Sequence, residues 1–397
     1  MEEVVGNFYA QGIEARRPEG GDRREGRRRP ALLEHWLNEY EFATPPIRYN
    51  LASSTGPGWT LGELLALEGS GMRAELDGTV LSYAPPAGTR ALRERIAALH
   101  GVDPDWVIVT TGAAEALTAA YCAVAEPGAS IVLPAPAFPA MPALAQAWAM
   151  DVRTYSVSRH TQFAQTAEQI MATVDRTTRL VLINTPHNPT GSVVHENEVA
   201  QLASALRERR IPLLVDEVYH PLYFRASNAS AAKFPNTLVV SDLSKAFSLS
   251  GLRLGWLIDR DPERRKRLID MRSYFTVSSS PLTEALAGLA LKHSEAILSR
   301  LNKVARANLG LLESFMESHR DLLGWIAPAG GTVCFPWLLD GRDSRSICQS
   351  LARAGVLVAP GDCFGAPEHF RVGLGAQQEG FKDALEIASH IITAARS

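Results

Sequence analysis

The chain has 397 residues, of which 46% are hydrophobic and 21% charged, and its formal net charge is -3. This composition is typical of a soluble globular protein, and the small net charge argues against a nucleic-acid or membrane-surface binder. Because single hydrophobic cores rarely extend beyond about 250 to 300 residues, we expect two packed domains.

Residues 16–29 offer little that a core could bury. Residues 16–29 contain seven arginines together with glycine, proline and acidic residues, so we interpret 1–29 as a flexible arm. The N-terminus lacks the apolar segment of a signal peptide, and no stretch reaches the roughly 18 apolar residues of a membrane span. We therefore expect a cytoplasmic protein. Its four cysteines lie far apart without CxxC spacing, which favours reduced, mostly buried thiols.

Predicted strands and helices alternate through the middle of the chain. An amphipathic helix, ALLEHWLNEYEF, follows Pro30. Short apolar, β-branched runs then occur at WVIVTT (106–111), SIVLPAP (130–136), RLVLINTP (179–186), IPLLVDEV (211–218) and TLVVSDLS (237–244). Such runs separated by helical periodicity predict an α/β fold with a mostly parallel sheet flanked by helices on both faces.

The pattern changes after Pro281. A long helical stretch from about 282 to 319 leads to short apolar runs and a terminal helix, which predicts a smaller α/β domain. Because the two ends of a chain often lie close together, we expect the N-terminal segment to join it. The predicted division is a large domain at 61–281 and a small domain formed by 30–60 and 282–397.

Polar residues at the carboxyl ends of the predicted strands are the candidate site residues, because α/β sheets bind ligands there. Lys245 follows TLVVSDLS, where apolar surroundings would favour its neutral, nucleophilic form. Taken alone, a lysine is usually a solvated surface residue. Arg253 lies eight residues later between Gly251 and Gly255, and a guanidinium can hold a phosphate with two hydrogen bonds.

Asp216 ends the apolar strand IPLLVD. A buried carboxylate needs a partner, and the protonated ring nitrogen of a pyridine cofactor would be one. The alternative is an aspartate that caps a helix N-terminus. Tyr219, three residues later, could turn its phenol toward the same ligand.

The segment WVIVTTGAAEAL passes from strand to helix at Gly112, Ala113 and Ala114. Small residues at a helix start leave backbone N–H groups open to an anion such as phosphate. The pattern differs from GxGxxG and from the P-loop, which argues against a dinucleotide or nucleoside triphosphate site.

The turn INTPHNPTG contains Asn188, whose amide the flanking prolines can hold toward a ligand oxygen. His187 beside it is either a general base or, more often for such a residue, a structural part of the turn. The histidines show no HExxH or other metal-binding spacing, so we predict no metal.

With Asn188, Asp216, Tyr219, Lys245 and Arg253 in this order, the chain resembles the class I/II aminotransferases of pyridoxal 5'-phosphate (PLP) fold type I. The similarity runs from about residue 45 to the C-terminus. It rests on SYAPPAGTRALRERIA (82–97), TTGAAEAL, PAPAFPAM, NTPHNPTG, DEVYH, SDLSKAFSLSGLRLGW, GVLVAPGDCFG and FRVGLG.

The resemblance implies PLP as the cofactor and a role for each matching residue. Lys245 would bind the cofactor covalently and move protons, and Asp216 would pair with its pyridine nitrogen. Asn188 and Tyr219 would bind its phenolic oxygen. The remaining cofactor contacts would be Phe138, stacked on the ring, and a phosphate site formed by Gly112, Ala113, Ala114, Ser244 and Arg253.

The resemblance also implies how substrate and subunits are arranged. Arg371, in FRVGLG, would hold the α-carboxylate of the substrate, with Gly56 and Asn188 as further substrate contacts. Tyr83 would reach the phosphate of a neighbouring subunit's cofactor, which implies a homodimer with shared sites. Asp242 departs from the family, which commonly has Ser or Thr facing the phosphate there. Its carboxylate would repel a phosphate unless it points away or pairs with a cation such as Arg253.

The activity that the resemblance implies is transamination between an L-amino acid and a 2-oxo acid. The same apparatus supports elimination, replacement and cyclisation, because the outcome depends on which group leaves the side chain. The stretches ALLEHWLNEY and SYFTVSSSPLTEAL resemble PLP enzymes of peptide-antibiotic pathways that dehydrate and cyclise hydroxyarginine, whereas DEVYH follows the ordinary aminotransferase form.

Two other classes fit less well. About 40 residues before the resemblance begins are too few for the DNA-binding domain of a regulator with a non-catalytic PLP module. The absence of GxGxxG argues against a nicotinamide-dependent dehydrogenase.

Overall fold

The computed structural model describes residues 31–395 except 42, 45, 70 and 226. The expected N-terminal arm lies outside the described residues. The strands are β1 Tyr49–Asn50, β2 Val107–Thr110, β3 Ser130–Ala135, β4 Asp151–Ser156, β5 Thr178–Asn184, β6 Leu213–Asp216, β7 Thr237–Asp242, β8 Gly255–Asp259, β9 Leu323–Gly324, β10 Val333–Cys334, β11 Trp337–Leu338, β12 Val356–Leu357, β13 Ala359–Pro360 and β14 Phe370–Gly373.

The helices begin with the predicted amphipathic segment and end near the C-terminus. They are α1 Leu32–Glu41, α2 Leu61–Ala66, α3 Gly71–Asp77, α4 Arg90–His100, α5 Gly112–Val124, α6 Ala140–Ala147, α7 Ala167–Met171, α8 Glu196–Glu208, α9 Pro262–Phe275, α10 Pro281–Lys292, α11 Ser294–Ser318, α12 Arg345–Arg353 and α13 Phe381–Ala394. None of the described helices is long and apolar enough to cross a membrane.

A seven-stranded sheet lies at the centre, in the order β2-β8-β7-β6-β5-β3-β4. Strand β8 runs antiparallel to both of its neighbours, and the other neighbouring pairs are parallel. The mostly parallel α/β sheet predicted from the sequence is therefore confirmed. The parallel strands β5, β6 and β7 end side by side at Asn184, Asp216 and Asp242, which brings three polar side chains to one edge.

Side chains of the central strands alternate between two apolar cores. In β5, Leu180 and Leu182 pack with α5 and α9 on one face, whereas Val181 and Ile183 pack with α4 and α8 on the other. This alternation follows from the two-residue repeat of an extended strand, and both faces are covered because helices connect the parallel strands.

A third apolar core combines residues from 33–52 with residues from 301–392. Strand β1 pairs in parallel with β12, with Tyr49 opposite Val356, so the N-terminal segment packs with the C-terminal part of the chain. The core brings together the two segments predicted to form the small domain, and the division into two domains stays a prediction.

The single helix expected at 282–319 is divided in two at His293. Helix α10 ends at Lys292 and α11 begins at Ser294, while His293 itself has φ -106° and ψ 28°. The Lys292 ammonium and the His293 Nε2 atom both contact the carboxylate of Glu68. Two adjacent side chains therefore contact the same carboxylate at the point where the helix is interrupted.

Candidate active site

A cavity of about 220 Å³ opens at the carboxyl ends of β5, β6 and β7. Its lining combines charged side chains with apolar walls. The residues are Ala113, Ala114, Leu117, Phe138, Ala140, Leu144, Asn184, Asn188, Asp216, Val218, Tyr219, Asp242, Ser244, Lys245, Ser250 and Arg253. The structure therefore gathers most of the predicted site residues around one space.

Lys245 lies in the turn that follows β7, and its side chain is largely buried. Its Nζ atom donates a hydrogen bond to Ser54 Oγ at 2.9 Å. Burial lowers the pKa of Lys245, with the nearby Asp242 carboxylate opposing the effect. A lowered pKa increases the neutral, nucleophilic fraction of the amine near neutral pH.

Asp216 ends β6 and is buried. Its Oδ1 atom accepts the Val218 N–H at 3.1 Å, and burial raises the pKa of Asp216 to about 7. No ion pair to Asp216 occurs among the described residues. A buried carboxylate that makes no ion pair can accept a cationic partner, and a protonated pyridine nitrogen supplies that charge.

The start of α5 forms an anion cradle beside Arg253. Gly112 has a φ of +70°, and a Cβ atom there would lie 2.6 Å from Arg253 Nη2. Gly255 lies against the same turn, where a Cβ atom would be 2.6 Å from the Gly112 carbonyl carbon. Both glycines therefore let backbone N–H groups and a guanidinium approach one point, as a phosphate requires.

Asp242 lines the same cavity, so its carboxylate does not point away from the cradle. Its Oδ1 atom accepts the Ser244 N–H at 2.9 Å, and its Oδ2 atom accepts the Ala113 N–H at 3.4 Å. It lines the cavity and makes no ion pair with Arg253 in the described part of the chain. The carboxylate instead accepts from buried N–H groups at a turn and at a helix start.

Arg371, on β14, is almost fully buried behind the cavity. Its Nη1 atom donates to Asn188 Oδ1 at 3.1 Å, and its Nη2 atom donates to the Ala52 carbonyl oxygen at 2.7 Å. The Nε atom has no hydrogen-bond partner within the described chain. Asn188 is itself fixed, because its N–H donates to Asn184 Oδ1 at 2.7 Å. The guanidinium thus lies next to the predicted site with donor capacity left.

Tyr219 also lines the cavity, and its side chain carries a phenol hydroxyl. Burial raises the pKa of Tyr219 to about 12, so the group is protonated at neutral pH. The hydroxyls of Ser54 and Thr332 lie nearby and partly oppose that rise, but no hydrogen bond of good geometry reaches the phenol oxygen among the described residues. This hydroxyl is available to a bound ligand.

Three other residues singled out from the sequence do not line the cavity. Tyr83 is 81% exposed, and its predicted role needs a second subunit, so that role stays a prediction. Gly56 packs against Ser248 and Leu301. His187 is buried with Nδ1 2.8 Å from Thr190 Oγ1, and burial lowers the pKa of His187 to about 3, which favours a structural role.

A second buried polar cluster consists of His100, Glu217 and His220, whose ligand atoms lie within 4.8 Å of one another. Trp256 donates to His100 Nε2 at 3.0 Å, and Ser230 Oγ donates to Glu217 Oε2 at 2.7 Å. Burial raises the pKa of Glu217 to about 7 and lowers that of His100 to about 3. Protein hydrogen bonds occupy the atoms that a metal would use, so we interpret the cluster as structural.

Sequence reasoning missed Ser54 and Asn184. Ser54 contacts Lys245 from 191 residues away in the chain, and a Ser/Thr-rich loop by itself does not show that contact. Asn184 ends the predicted strand RLVLIN, and its position at a strand end was the signal that could have identified it.

The described residues fit PLP. Around one cavity lie a buried acid that makes no ion pair, a lysine with a lowered pKa, an anion cradle and a phenol without a hydrogen-bond partner in the described part of the chain. These are the groups that a pyridine ring nitrogen, an aldehyde carbon, a phosphate and a phenolic oxygen require.

Comparisons with known proteins agree with a PLP-dependent enzyme. The family model for aminotransferase class I and II matches residues 58–387. Capreomycidine synthase from Streptomyces vinaceus is 31% identical over 369 residues, which are 90% of this chain and 92% of that protein.

Two solved structures share the fold over nearly their whole length. A PLP-dependent aminotransferase from Streptococcus suis 89-1591 is 26% identical with a TM-score of 0.86, over 93% of this chain and 98% of that one. The PLP-dependent cyclase OrfR is 26% identical with a TM-score of 0.82, over 96% and 99%. The chain therefore belongs to the class I and II aminotransferase family of PLP-dependent enzymes.

Proposed function

We propose that this enzyme removes a β-hydroxyl group from an L-amino acid and closes a ring with a nitrogen of the same side chain. Hydroxyarginine is the substrate type that the sequence resemblance suggests. The observation that carries the proposal is the likeness to capreomycidine synthase, which extends over 90% of this chain and 92% of that protein. The likeness to the cyclase OrfR supports it.

Arg371 would hold the substrate in this proposal. A planar carboxylate binds best to the planar fork of a guanidinium, which fixes the α-carbon in one orientation. The carboxylate would take the place of the Asn188 oxygen or the Ala52 carbonyl oxygen as an acceptor, and it would also satisfy the unpartnered Nε atom. Held in this way, the α-carbon would present its hydrogen to Lys245.

Lys245 would remove the α-proton once the substrate amine has displaced it. When bound, PLP supplies an electron sink for the charge that develops at the α-carbon. Asp216 would keep the ring nitrogen protonated, and Asn188 and Tyr219 would bind the phenolic oxygen. Phe138 would pack on the ring.

The phosphate site would use the start of α5 and the turn around Lys245. The N–H groups of Gly112, Ala113 and Ala114 would donate to it, together with Ser244 and Arg253. Because Asp242 accepts the Ala113 N–H, its side chain has to give up that contact when a phosphate binds.

Transamination is the second candidate, favoured by the TM-score of 0.86 to the Streptococcus suis aminotransferase. Both reactions begin with loss of the α-proton. In the dehydration the substituent on the β-carbon then leaves, whereas in transamination the proton is transferred to the cofactor. The presence of a leaving group on the β-carbon of the substrate therefore decides between the two reactions.

A homodimer with shared sites is part of the proposal. Val80, Leu81 and Tyr83 are 75%, 76% and 81% exposed, and Tyr274 is 81% exposed, although such side chains are usually covered. A second subunit would bury them and bring its Tyr83 to the phosphate. Light scattering should therefore give twice the chain mass of 43.1 kDa.

The test is to incubate the PLP-loaded protein with 3-hydroxyarginine and to follow the products by mass spectrometry. The proposal expects a cyclic amino acid lighter than the substrate by one water, with no 2-oxo acid. Arginine, which lacks the β-hydroxyl, is the matched control and should give no cyclic product. Formation of 2-oxo acids from ordinary amino acids without any dehydrated product would instead support transamination.

A further inference from the structure

Lys245 lines the cavity, and its contact with Ser54 has no part in the roles described above. Lys245 Nζ donates to Ser54 Oγ at 2.9 Å, so the serine oxygen is the acceptor. The serine's own proton makes no other hydrogen bond of good geometry among the described residues. The hydroxyl of Tyr219 also lies near Ser54, but it is expected to bind the cofactor instead.

The loop that carries Ser54 is held firmly in place. Asn50 Oδ1 accepts the N–H groups of Ala52 and Ser53 at 3.0 and 3.1 Å. Thr332 Oγ1 donates to the Ser54 carbonyl oxygen at 2.7 Å. A serine placed by this many contacts has a fixed relation to the lysine, as an acid-base group requires.

Strand β14 and the residues that follow it pack closely against the loop that carries Ser54. Gly373 N donates to the Leu51 carbonyl oxygen at 2.7 Å. A Cβ atom at Gly373 would lie 1.9 Å from the Ser53 carbonyl oxygen, and one at Gly375 would lie 2.5 Å from the Thr55 carbonyl oxygen. Only glycine lets the loop come this close, so the sequence of β14 and its continuation positions Ser54.

We propose that Ser54 is a catalytic residue that relays a proton from Lys245 to the departing β-hydroxyl of the substrate. This inference rests on the proposed function, since only a reaction that breaks a bond at the β-carbon needs such a proton. Hydroxide is a poor leaving group, and positioned acids accelerate such steps by typically about 10² to 10⁴-fold.

The relay begins when the substrate loses its α-proton. Lys245 takes the α-proton and becomes an ammonium. It passes a proton to Ser54 Oγ while the Ser54 hydroxyl gives its own proton to the β-oxygen. The bond between the β-carbon and that oxygen breaks with its electron pair going to oxygen, and water leaves. Lys245 and Ser54 both return to their starting protonation states, and no outside oxidant or reductant is needed.

The test compares Ser54→Ala and Ser54→Thr with Ser53→Ala. Ser53 is the matched control, because its hydroxyl bonds to Thr55 Oγ1 at 2.9 Å and not to the lysine. Two substrates are used: 3-hydroxyarginine, whose leaving group needs a proton, and β-chloroalanine, whose chloride leaves without one. A purely structural role for Ser54 would slow both reactions alike.

We expect Ser54→Ala to lose water from 3-hydroxyarginine about 100-fold more slowly than wild type, while chloride release stays within about threefold. Ser54→Thr should restore water loss to within about tenfold, because it keeps the hydroxyl. Ser53→Ala should match wild type on both substrates. Equal slowing of both substrates in Ser54→Ala, or no slowing of either, would overturn the relay.

A spectroscopic measurement adds a readout that does not depend on turnover. In the PLP-loaded protein, the pH at which the visible band of the lysine-bound cofactor changes should fall by about one unit in Ser54→Ala, because an acceptor for the protonated nitrogen is lost. An unchanged midpoint would contradict the contact. A wild-type protein that releases no water from 3-hydroxyarginine would overturn the proposed function and the relay with it, whereas a wild type that does so and is matched by Ser54→Ala would overturn the relay alone.

Discussion

Replacing Gly255 by alanine should damage the anion cradle. Gly255 begins β8 and pairs with Thr110 on one side and with Asp242 on the other. An added Cβ atom would lie 2.6 Å from the Gly112 carbonyl carbon and 2.8 Å from Ala113 N. Because these are backbone atoms, no side-chain rotation relieves the clash, and the start of α5 has to move.

The size of the effect follows from those contacts. Overpacking of this kind costs about 1 to 3 kcal/mol, which for a chain of this length lowers Tm by roughly 1 to 4 °C. Losing one or two charge-assisted hydrogen bonds to a phosphate, at about 1.5 to 3 kcal/mol each, raises the Kd for PLP by about 10-fold to more than 100-fold.

The assay is titration of the apoprotein with PLP, followed by absorbance, together with thermal unfolding. Gly251→Ala is the matched control in the same segment, because a Cβ atom there would meet nothing within 4 Å. It should leave both Kd and Tm unchanged. A Gly255→Ala protein with the wild-type Kd and Tm would refute the close approach of β8 to the start of α5.

Three further predictions concern the charged groups of the cavity. Asp216→Asn removes the negative partner of the ring nitrogen, so turnover should fall by about 10² to 10³-fold, and a loss below fivefold would contradict its role. Arg371→Ala should lower kcat/KM for amino acids by about 100-fold while the Kd for PLP stays within about threefold, and equal losses in both would contradict carboxylate binding. Because burial lowers the pKa of Lys245, its neutral fraction at a given pH exceeds that of an ordinary lysine. The rate of PLP attachment should therefore rise with pH with a midpoint below about pH 10.4, and a midpoint at or above that value would contradict the buried lysine.

Much of the candidate site could be predicted from the sequence, because its residues lie at or just beyond the carboxyl ends of predicted strands. Asp216 ends one apolar run and Lys245 follows shortly after another, and the carboxyl ends of parallel strands meet at one edge. Local sequence therefore indicates which polar side chains share a cavity. The resemblance to a family added Arg371, which lies on a strand outside the central sheet.

Other features depend on contacts that local sequence does not encode. Strand β4, DVRTYS, is an edge strand whose only fully buried side chain is Tyr155, so its polar pattern looks like a loop. Strand β8 lies between β2 and β7, an order that the chain sequence does not reveal. The orientation of Asp242 and the contact of Ser54 with Lys245 arise from packing between segments distant in sequence.

Covalent attachment of the cofactor to Lys245 is the central claim, and borohydride reduction tests it most directly. The PLP-loaded protein is reduced, digested and analysed by peptide mass spectrometry, with Lys245→Ala as the control. The modified peptide should contain Lys245, and the variant should retain no reducible cofactor. Attachment to another lysine in the wild type, or a protein that cannot be loaded with PLP, would contradict the account.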